Sequence, residues 1–335
     1  MKEGYLMQYK QLLIIFSCSF LLFGCAKNNE QPVEKEPQKN QITSMPLQMN
    51  KQYALYDKVN VHFKEIYVGD TIKPTNRNGE YTYLPADNGS YTMYDVIFYV
   101  ENKSNQDIDI SDYIYGLLDS KYYGYTYMET QDHKNINDDT ILKSQTKSNL
   151  HLIFDIKKAD IKTIEAENKN ILVYINNDKY TLPFKEIKPK YTKLELEKET
   201  TADVLKLTPI SSSVSKTIPP LNPNENSLFY ICKDDNKKYA GMYIQIENTS
   251  DQKINVFDKI GVRIKQEGKG SDTWLVLLDA DNANFVQTYE IEPHTTRSVL
   301  IFSEVELILG ESQYTVTLNI DGKPYQYVYH HTNFE

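Results

Sequence analysis

The stretch Tyr94–Asp112 reads YDVIFYVENKSNQDIDISD, and its second part returns later in the chain. Residues 246–258, IENTSDQKINVFD, align without a gap on residues 100–112, VENKSNQDIDISD. Glutamate, asparagine, serine, glutamine, isoleucine and aspartate recur at identical positions in the two segments. Further along, residues 146–150 (TKSNL) and 296–300 (TRSVL) follow in the same order. This agreement in order and spacing predicts that one structural unit has been duplicated.

The residues around the repeated motif favour β-strands in both copies. Residues 94–100 and 239–246 are rich in aromatic and β-branched side chains, which pack well on pleated sheets. The Glu-Asn-x-Ser segment supplies turn chemistry, and Ile108 and Ile110 then alternate with polar residues, which places them on one face of a strand. The same criteria predict further strands at residues 59–68, 150–156, 171–175, 204–210, 228–232, 274–278, 298–302 and 314–320.

Turns and the scarcity of helical patterns complete the prediction of the fold class. Asn319–Gly322 has the composition of a hairpin turn, and residues 157–168 form either one short helix or an irregular crossover. Many short strands without alternating helices predict an all-β protein with one β-sandwich per copy. We therefore expect β-sandwich domains at residues 51–185 and 202–335, joined by a charged, proline-containing linker at 186–201.

The first 24 residues have the pattern of an export signal. Lys2 and Lys10 precede the apolar run LLIIFSCSFLLFG at Leu12–Gly24, with Met7 as an alternative translation start. The run has about 13 residues, fewer than the roughly 20 that a permanent membrane-spanning helix needs. This length, after a basic start, is typical of the apolar core of a signal peptide.

The end of the leader resembles the lipobox of bacterial lipoproteins, through Leu22, Phe23, Gly24 and Cys25. The resemblance implies cleavage before Cys25, a diacylglycerol thioether on its sulfur, and anchoring to the extracytoplasmic face of the cell membrane, since two acyl chains hold a protein stably. An ordinary secretory signal or a short anchor that happens to contain a cysteine is the alternative. The polar, proline-containing residues that follow, up to residue 50, predict a disordered tether.

Three sequence features carry a second resemblance, which concerns the fold. They are the strand–Glu-Asn-x-Ser–strand motif, the hairpin at Tyr115–Tyr122, and the late Thr-Lys/Arg-Ser-x-Leu strand. With them the chain resembles the telokin-like, immunoglobulin-fold repeats of many Gram-positive lipoproteins, a family of unknown function. The resemblance covers most of residues 52–332 and implies two tandem immunoglobulin-like sandwiches at the cell surface. The hairpin at 263–268 departs from the pattern, and the resemblance brings no known active site.

Composition and motifs argue against several classes of function. The net charge of −9 disfavours binding to nucleic acid. Arg77, Arg263 and Arg297 are the only arginines, which argues against a dedicated site that clamps anions. The sequence contains no nucleophile elbow, phosphate-binding glycine loop, paired-cysteine zinc pattern or His-Glu-x-x-His motif. We therefore predict no enzymatic activity and no cofactor.

The metal and cysteine candidates are weak. Asp279, Asp281 and Glu290 match parts of a calcium-binding loop, but Ala283 stands at its fifth position and an acidic surface loop is the favoured interpretation. His330 and His331 lack a third metal ligand nearby and are expected in a fraying terminal strand. His62, His133, His151 and His294 are scattered and receive no special role. Of the three cysteines, Cys18 lies in the leader, and Cys232, left without a partner, is expected to be a buried, inert thiol.

Tyrosines give the strongest candidate for a binding site. The chain has 27 of them, and six crowd residues 113–127 of the first copy. Besides Tyr113, these are the five candidate binding residues Tyr115, Tyr122, Tyr123, Tyr125 and Tyr127. Tyrosines on adjacent strands can form a platform for a sugar or a protein partner; ordinary cross-strand packing is the alternative. The sequence thus predicts a non-enzymatic, lipid-anchored surface protein that binds an envelope or extracellular partner, protein or glycan. A structural spacer or a folding helper for another envelope protein is the second prediction.

Overall fold

The computed structural model describes residues 44–49 and 51–333. The predicted leader, the proposed lipidation site Cys25 and most of the predicted tether lie outside the described residues. Among the described residues, no helix has the length and apolar character required to cross a membrane.

The described part of the chain is nearly all β, as predicted. The elements of the N-terminal half are β1 Met45–Pro46, β2 Gln52–Leu55, β3 Val59–Gly69, β4 Thr71–Ile72, β5 Leu84–Pro85, β6 Tyr91–Asn102, β7 Ile108–Asp109, β8 Ile114–Leu118, β9 Tyr122–Glu129, β10 Ile136–Asn137, β11 Ile141–Leu142, β12 Lys147–Lys157, α1 Lys158–Ala166, β13 Asn170–Ile175 and β14 Asp178–Pro183.

The C-terminal half follows the same plan. Its elements are β15 Thr192–Lys193, β16 Thr200–Ala202, β17 Leu205–Ser215, β18 Thr217–Ile218, β19 Tyr230–Ile231, β20 Lys237–Asn248, β21 Ile254–Asn255, α2 Val256–Lys259, β22 Ile260–Gln266, β23 Lys269–Ser271, β24 Thr273–Leu278, β25 Phe285–Val286, β26 Glu290–Ile291, β27 Thr296–Glu306, β28 Gly310–Ile320 and β29 Lys323–Asn333.

The strand order in the sheets repeats between the halves. The N-terminal half has the order β1-β14-β13-β8-β9-β12-β6-β3-β2, in which β9 belongs to both layers. In the C-terminal half the corresponding strands form two separate sheets, β15-β29-β28-β22-β23 and β16-β17-β20-β27-β24-β25. Strand β22 pairs with the added strand β23 where β8 pairs with β9, and this is the hairpin at 263–268 at which the repeat pattern departs in the sequence.

The repeated motif has the same structural task in both copies. The side-chain amide of Asn102 donates hydrogen bonds to the carbonyl oxygens of Gln106 and Leu142, at 2.8 and 3.1 Å. Asn248 makes the equivalent two bonds at 2.7 and 3.1 Å. In each copy the serine two residues further donates its hydroxyl to the same asparagine at 2.8 Å. The motif therefore satisfies buried backbone groups at a turn, which explains why its polar residues recur.

Each half has its own apolar core. In the C-terminal half, alternate residues of both sheets meet in one cluster around the fully buried Tyr314, which is the arrangement of a β-sandwich. In the N-terminal half, Phe98 and Phe154 lie at the centre of the corresponding cluster. The second core begins at Leu194, which lies in the predicted linker. The linker therefore contributes to the C-terminal sandwich through Leu194 and β15.

Several local predictions need correction. Met45 and Pro46, predicted to belong to the disordered tether, pair in parallel with β14, and the apolar side chain of Leu47 next to them is buried in the N-terminal core. The predicted strand 228–232 is reduced to β19, since Leu228 and Phe229 are exposed. Strand β29 does not fray at the two histidines, because it pairs with β28 as far as Asn333.

Candidate functional site

Three of the five predicted tyrosines lie on an open face of the N-terminal sandwich. Tyr115, Tyr123 and Tyr125 are 43, 65 and 63% exposed. Tyr115 stacks on Tyr174 of β13, with ring centroids 4.7 Å apart and an angle of 9° between the planes. We call Tyr115, Tyr123, Tyr125 and Tyr174 the tyrosine face. Tyr174 was not predicted, because its strand is distant in sequence from the other three.

The other two predicted tyrosines are packed. Tyr122 points into the N-terminal core and donates its hydroxyl to Asp160 of α1. Tyr127 packs against a small apolar cluster that contains Ile72 of β4 and Ile153, together with Leu84 of β5. For these two residues, the alternative of ordinary packing is the one that the structure shows.

Two glycines bring the sheet under the tyrosine face close to the core. A Cβ atom on Gly116 would lie 2.5 Å from the Phe154 ring, and one on Gly124 would lie 2.6 Å from a Leu152 methyl group. These glycines allow large core side chains to fill the inner side of β8 and β9. The sheet beneath the exposed rings is therefore densely packed, which suits a fixed binding surface.

A second cluster, which the sequence did not reveal, is charged and buried. Glu129 of β9 lies at its centre, 2.7 Å from His133 Nδ1 and 3.2 Å from His151 Nε2. The other ring nitrogen of His151 lies 2.8 Å from Asp95. Asn149 donates its amide to Glu129 at 2.7 Å. The two histidines, predicted to have no special role, thus hold the carboxylate of one glutamate from two sides.

The charges in this cluster stabilise one another. Burial alone would raise the pKa of Glu129, but hydrogen bonds from His133 and His151 hold it well below its ordinary value. Burial alone would lower the pKa of His151, but the charge and hydrogen bond of Asp95, together with Glu129, raise it to about 10. His151 is therefore a buried cation between carboxylates at neutral pH. His151, Asp95 and Glu129 are almost completely shielded from water, so we expect the cluster to stabilise the fold.

A loop of the N-terminal half, residues 74–79, packs on the C-terminal half, and we call it the junction loop. Asn76 donates its amide to the carbonyl oxygens of Phe257 and Asp258, at 3.2 and 3.1 Å. Asn78 donates to the carbonyl oxygens of Phe257 and Ile260, at 2.9 and 2.7 Å. These bonds satisfy carbonyl groups of α2 and its end, which have no partner within so short a helix.

Further contacts hold the halves together beside this loop. Lys134 forms an ion pair with Asp258 at 2.7 Å and lies over the Phe257 ring. Lys147 forms an ion pair with Asp321 at 2.5 Å, in the β28–β29 turn. Asp321 and Gly322 both have positive φ values, 48° and 73°, as the predicted hairpin turn requires. The junction is therefore polar and specific.

A cleft with two chambers lies at this junction. The first chamber, of about 850 Å3, is lined by aromatic residues and basic side chains, among them Tyr81, Phe257, Trp274, Tyr289, Arg77 and Arg263. The second chamber, of about 400 Å3, contains Arg77 and Arg263 again, with Lys188 and Lys265. Two of the three arginines in the chain therefore line one cleft.

The electrostatics of the cleft are unfavourable in the protein alone. Burial, and next the nearby positive charge of Arg263, lower the pKa of Arg77 to about 10. Burial, followed by the charges of Arg263, Lys188 and Arg77, lowers the pKa of Lys265. Among the described residues, neither Arg77 nor Arg263 forms an ion pair with a carboxylate. The cleft thus concentrates positive charge, although Glu65, Asp95 and Glu186 line its second chamber and Asp272 lines its first.

The remaining candidates do not assemble into sites. Asp279 accepts hydrogen bonds within its own loop, from the amides of Ala283 and Asn284, and Glu290 pairs with Lys253. Within the described ranges, no three residues among His, Cys, Asp and Glu come together as metal ligands, so Asp279, Asp281 and Glu290 do not converge.

The histidine and cysteine predictions end in simple contacts. His330 lies 3.3 Å from Glu311 on the neighbouring strand. Cys232 is free and buried, as predicted.

Comparisons with known proteins add little beyond the fold. No protein-family model matches the chain, and no curated protein matches it. Among solved structures, the chain is similar to an uncharacterized β-sandwich protein from Clostridium difficile 630, with 18% sequence identity and a TM-score of 0.37. That alignment covers 45% of this chain and 100% of the other. The all-β class rests on the strands described above, and the resemblances to lipoproteins and to telokin-like repeats stay predictions.

Proposed function

We propose that the protein is a non-enzymatic, lipid-anchored protein of the cell surface that binds an envelope or extracellular partner through two tandem immunoglobulin-like sandwiches of the telokin-like type. The observation that carries the proposal is the tyrosine face. Large aromatic rings that stand exposed on a densely packed sheet bind partners at low entropic cost, because the rings have few torsions to fix. Repetition of one strand order in both halves supports the tandem arrangement.

The tyrosine face gives the first test of this function. Replacing Tyr123 and Tyr125 by serine in the full chain should lower binding to isolated cell envelopes of the producing bacterium by about tenfold or more, as loss of an aromatic anchor does. Cosedimentation of labelled protein measures this. Tyr83→Ser is the matched control, because Tyr83 is 54% exposed but does not belong to the tyrosine face. Equal binding by the double variant and the control would refute the assignment of this face.

Chemical crosslinking on cells separates the two predicted kinds of role. If the partner is a glycan, the wild-type protein should form no stoichiometric crosslink to another protein. One protein recovered in a stoichiometric crosslink that survives the Tyr123/Tyr125 replacement would instead support the role of spacer or folding helper.

The proposed anchor has a direct test. Intact mass of the membrane-extracted protein should correspond to a chain that starts at Cys25 and carries acyl groups, and Cys25→Ser should move the protein from the membrane fraction to the soluble fraction. An unmodified Cys25 in the membrane-extracted protein would refute the lipid anchor while leaving the tyrosine face untouched.

A further inference from the structure

The cleft at the junction of the two halves carries an inference that depends neither on the tyrosine face nor on the lipid anchor. We propose that this cleft binds an anionic saccharide, with its phosphate or carboxylate group between Arg77 and Arg263 and its sugar ring in the aromatic chamber. The junction loop, the two arginines and the aromatic lining each support one part of this assignment.

The charge argument identifies the anion. Arg77 and Arg263 both line both chambers, and Lys73 accompanies them in both. A guanidinium group matches the planar, bidentate geometry of phosphate and carboxylate oxygens better than an ammonium group does. Since the whole chain has a net charge of −9, two unpaired arginines in one cleft are a local exception that an anion would neutralise.

The acidic residues near the cleft leave an excess of positive charge in the first chamber. Glu65, Asp95 and Glu186 line the second chamber but not the first. Burial raises the pKa of Glu65 and of Asp95, and Asp95 is already bonded to His151. In the first chamber Asp272 is the only carboxylate that lines the wall, against three basic residues.

The aromatic lining identifies the ring. Trp274 is the only tryptophan in the chain and is 44% exposed at the wall of the first chamber. Phe257 and Tyr289 lie beside each other there, with ring centroids 4.6 Å apart. Aromatic faces with nearby polar groups are suited to sugar rings, which present C–H groups on one side and hydroxyls at the edge.

The junction loop fixes the site before any ligand arrives. Arg77 lies between Asn76 and Asn78, whose amides bond the backbone of the C-terminal half. The Nε group of Arg77 donates to the Pro74 carbonyl oxygen at 3.0 Å, which orients the guanidinium. The Arg263 side chain lies against Gly270, where a Cβ atom would be 2.8 Å from the guanidinium. A site with its charged groups already oriented loses less entropy on binding.

The test uses the full-length chain in detergent at low salt, with Trp274 fluorescence as the readout. The probes are glucose 6-phosphate, glucuronate, inorganic phosphate and glucose. We expect saturable binding of at least one charged sugar, weaker binding of inorganic phosphate and none of glucose. The charged sugar that binds with the higher affinity identifies the anion, phosphate for glucose 6-phosphate or carboxylate for glucuronate. Failure of both charged sugars to bind overturns the proposal, and equal affinity for inorganic phosphate and glucose 6-phosphate overturns the assignment of the ring.

Variants locate the binding. Arg263→Gln should weaken the charged sugar by about tenfold or more, the usual effect of losing a charge-assisted hydrogen bond. Arg297→Gln is the matched control with the same charge change, because Arg297 donates to the Leu278 carbonyl oxygen and does not line either chamber. Thermal unfolding verifies that both variants fold, and Arg77→Gln provides an independent second test. Equal affinity in wild type, Arg263→Gln and Arg77→Gln would place binding elsewhere and overturn the proposal.

Discussion

Replacing Glu129 by glutamine is expected to lower the free energy of unfolding by about 3–5 kcal/mol, the usual cost of removing one partner of a buried ion pair. The Oε1 atom of Glu129 accepts from the Thr75 amide and faces His151 Nε2. The Oε2 atom faces His133 Nδ1 and accepts from the Asn149 amide. In either orientation of a glutamine side chain, its NH2 group would meet donors, so several buried groups would lose their acceptor.

Urea unfolding at pH 6 measures this cost. Glu290→Gln is the control, because Glu290 pairs with Lys253 at 3.1 Å on an exposed surface, where an ion pair contributes about 0–1 kcal/mol. A cost of less than about 1 kcal/mol for Glu129→Gln, similar to the control, would show that the buried cluster does not stabilise the fold.

The difference in the free energy of unfolding between the wild type and Glu129→Gln should depend on pH. The pKa of His151 is raised from 6.5 to about 10 in the fold, so its stabilising effect is complete below pH 6.5 and is lost as pH rises toward 10. The pKa of Glu129 lies well below its ordinary value of 4.5, so its effect is present above pH 4.5 and is lost as pH falls. The loss of unfolding free energy caused by Glu129→Gln should therefore be largest between pH 4.5 and pH 6.5.

Local patterns predicted the strands because the residues that favour a strand or a turn are consecutive in the sequence. The alternation at Ile108 and Ile110, the β-branched runs and the turn at Asp321–Gly322 are all properties of a few consecutive residues. The repeated Asn102 motif was visible for the same reason, since the turn that it stabilises lies within the motif. The all-β class followed from these local features.

The tyrosine face could be predicted only in part, because a run of tyrosines does not reveal which face points inward. Tyr122 and Tyr123 are adjacent, and either could have been the buried one. Tyr127 shares the outward side with Tyr125, but it packs in one apolar cluster with Ile72 of β4 and Leu84 of β5. Cover of this kind comes from a distant part of the chain, so no local pattern announces it.

The charged cluster and the cleft depend on contacts between distant residues. Asp95 and His151 meet because β6 and β12 are neighbours in the sheet, and Arg77 meets Arg263 because a loop of one half docks on the other. The sequence shows only that the chain has three arginines, and it does not show that two of them lie close together. The scarcity of arginine argued against an anion site, but the number of arginines in a sequence does not show where they lie in the fold.

The placement of Arg77 depends on the junction loop, residues 74–79, and Gly261 is a point of close contact with that loop. A Cβ atom at Gly261 would lie 2.5 Å from the Thr75 carbonyl oxygen and 2.9 Å from Asn76 Cα. Both neighbours are backbone atoms, which cannot turn aside as a flexible side chain can. Gly261→Ala should therefore displace the loop and cost about 1–3 kcal/mol, as overpacking does in a close-packed contact.

Hydrogen exchange measures this displacement where it occurs. The backbone N–H of Asn76 donates to the His133 carbonyl oxygen at 3.0 Å. This N–H should exchange about 5–150 times faster in Gly261→Ala, because the lost free energy appears directly in local opening. Gly89→Ala is the matched control, since a Cβ atom there meets no heavy atom within 4 Å. Equal exchange rates in the two variants would mean that the loop does not depend on this contact. Faster exchange confined to Gly261→Ala would show that the loop, which carries Arg77, needs a glycine at position 261 to keep its contact with the C-terminal half.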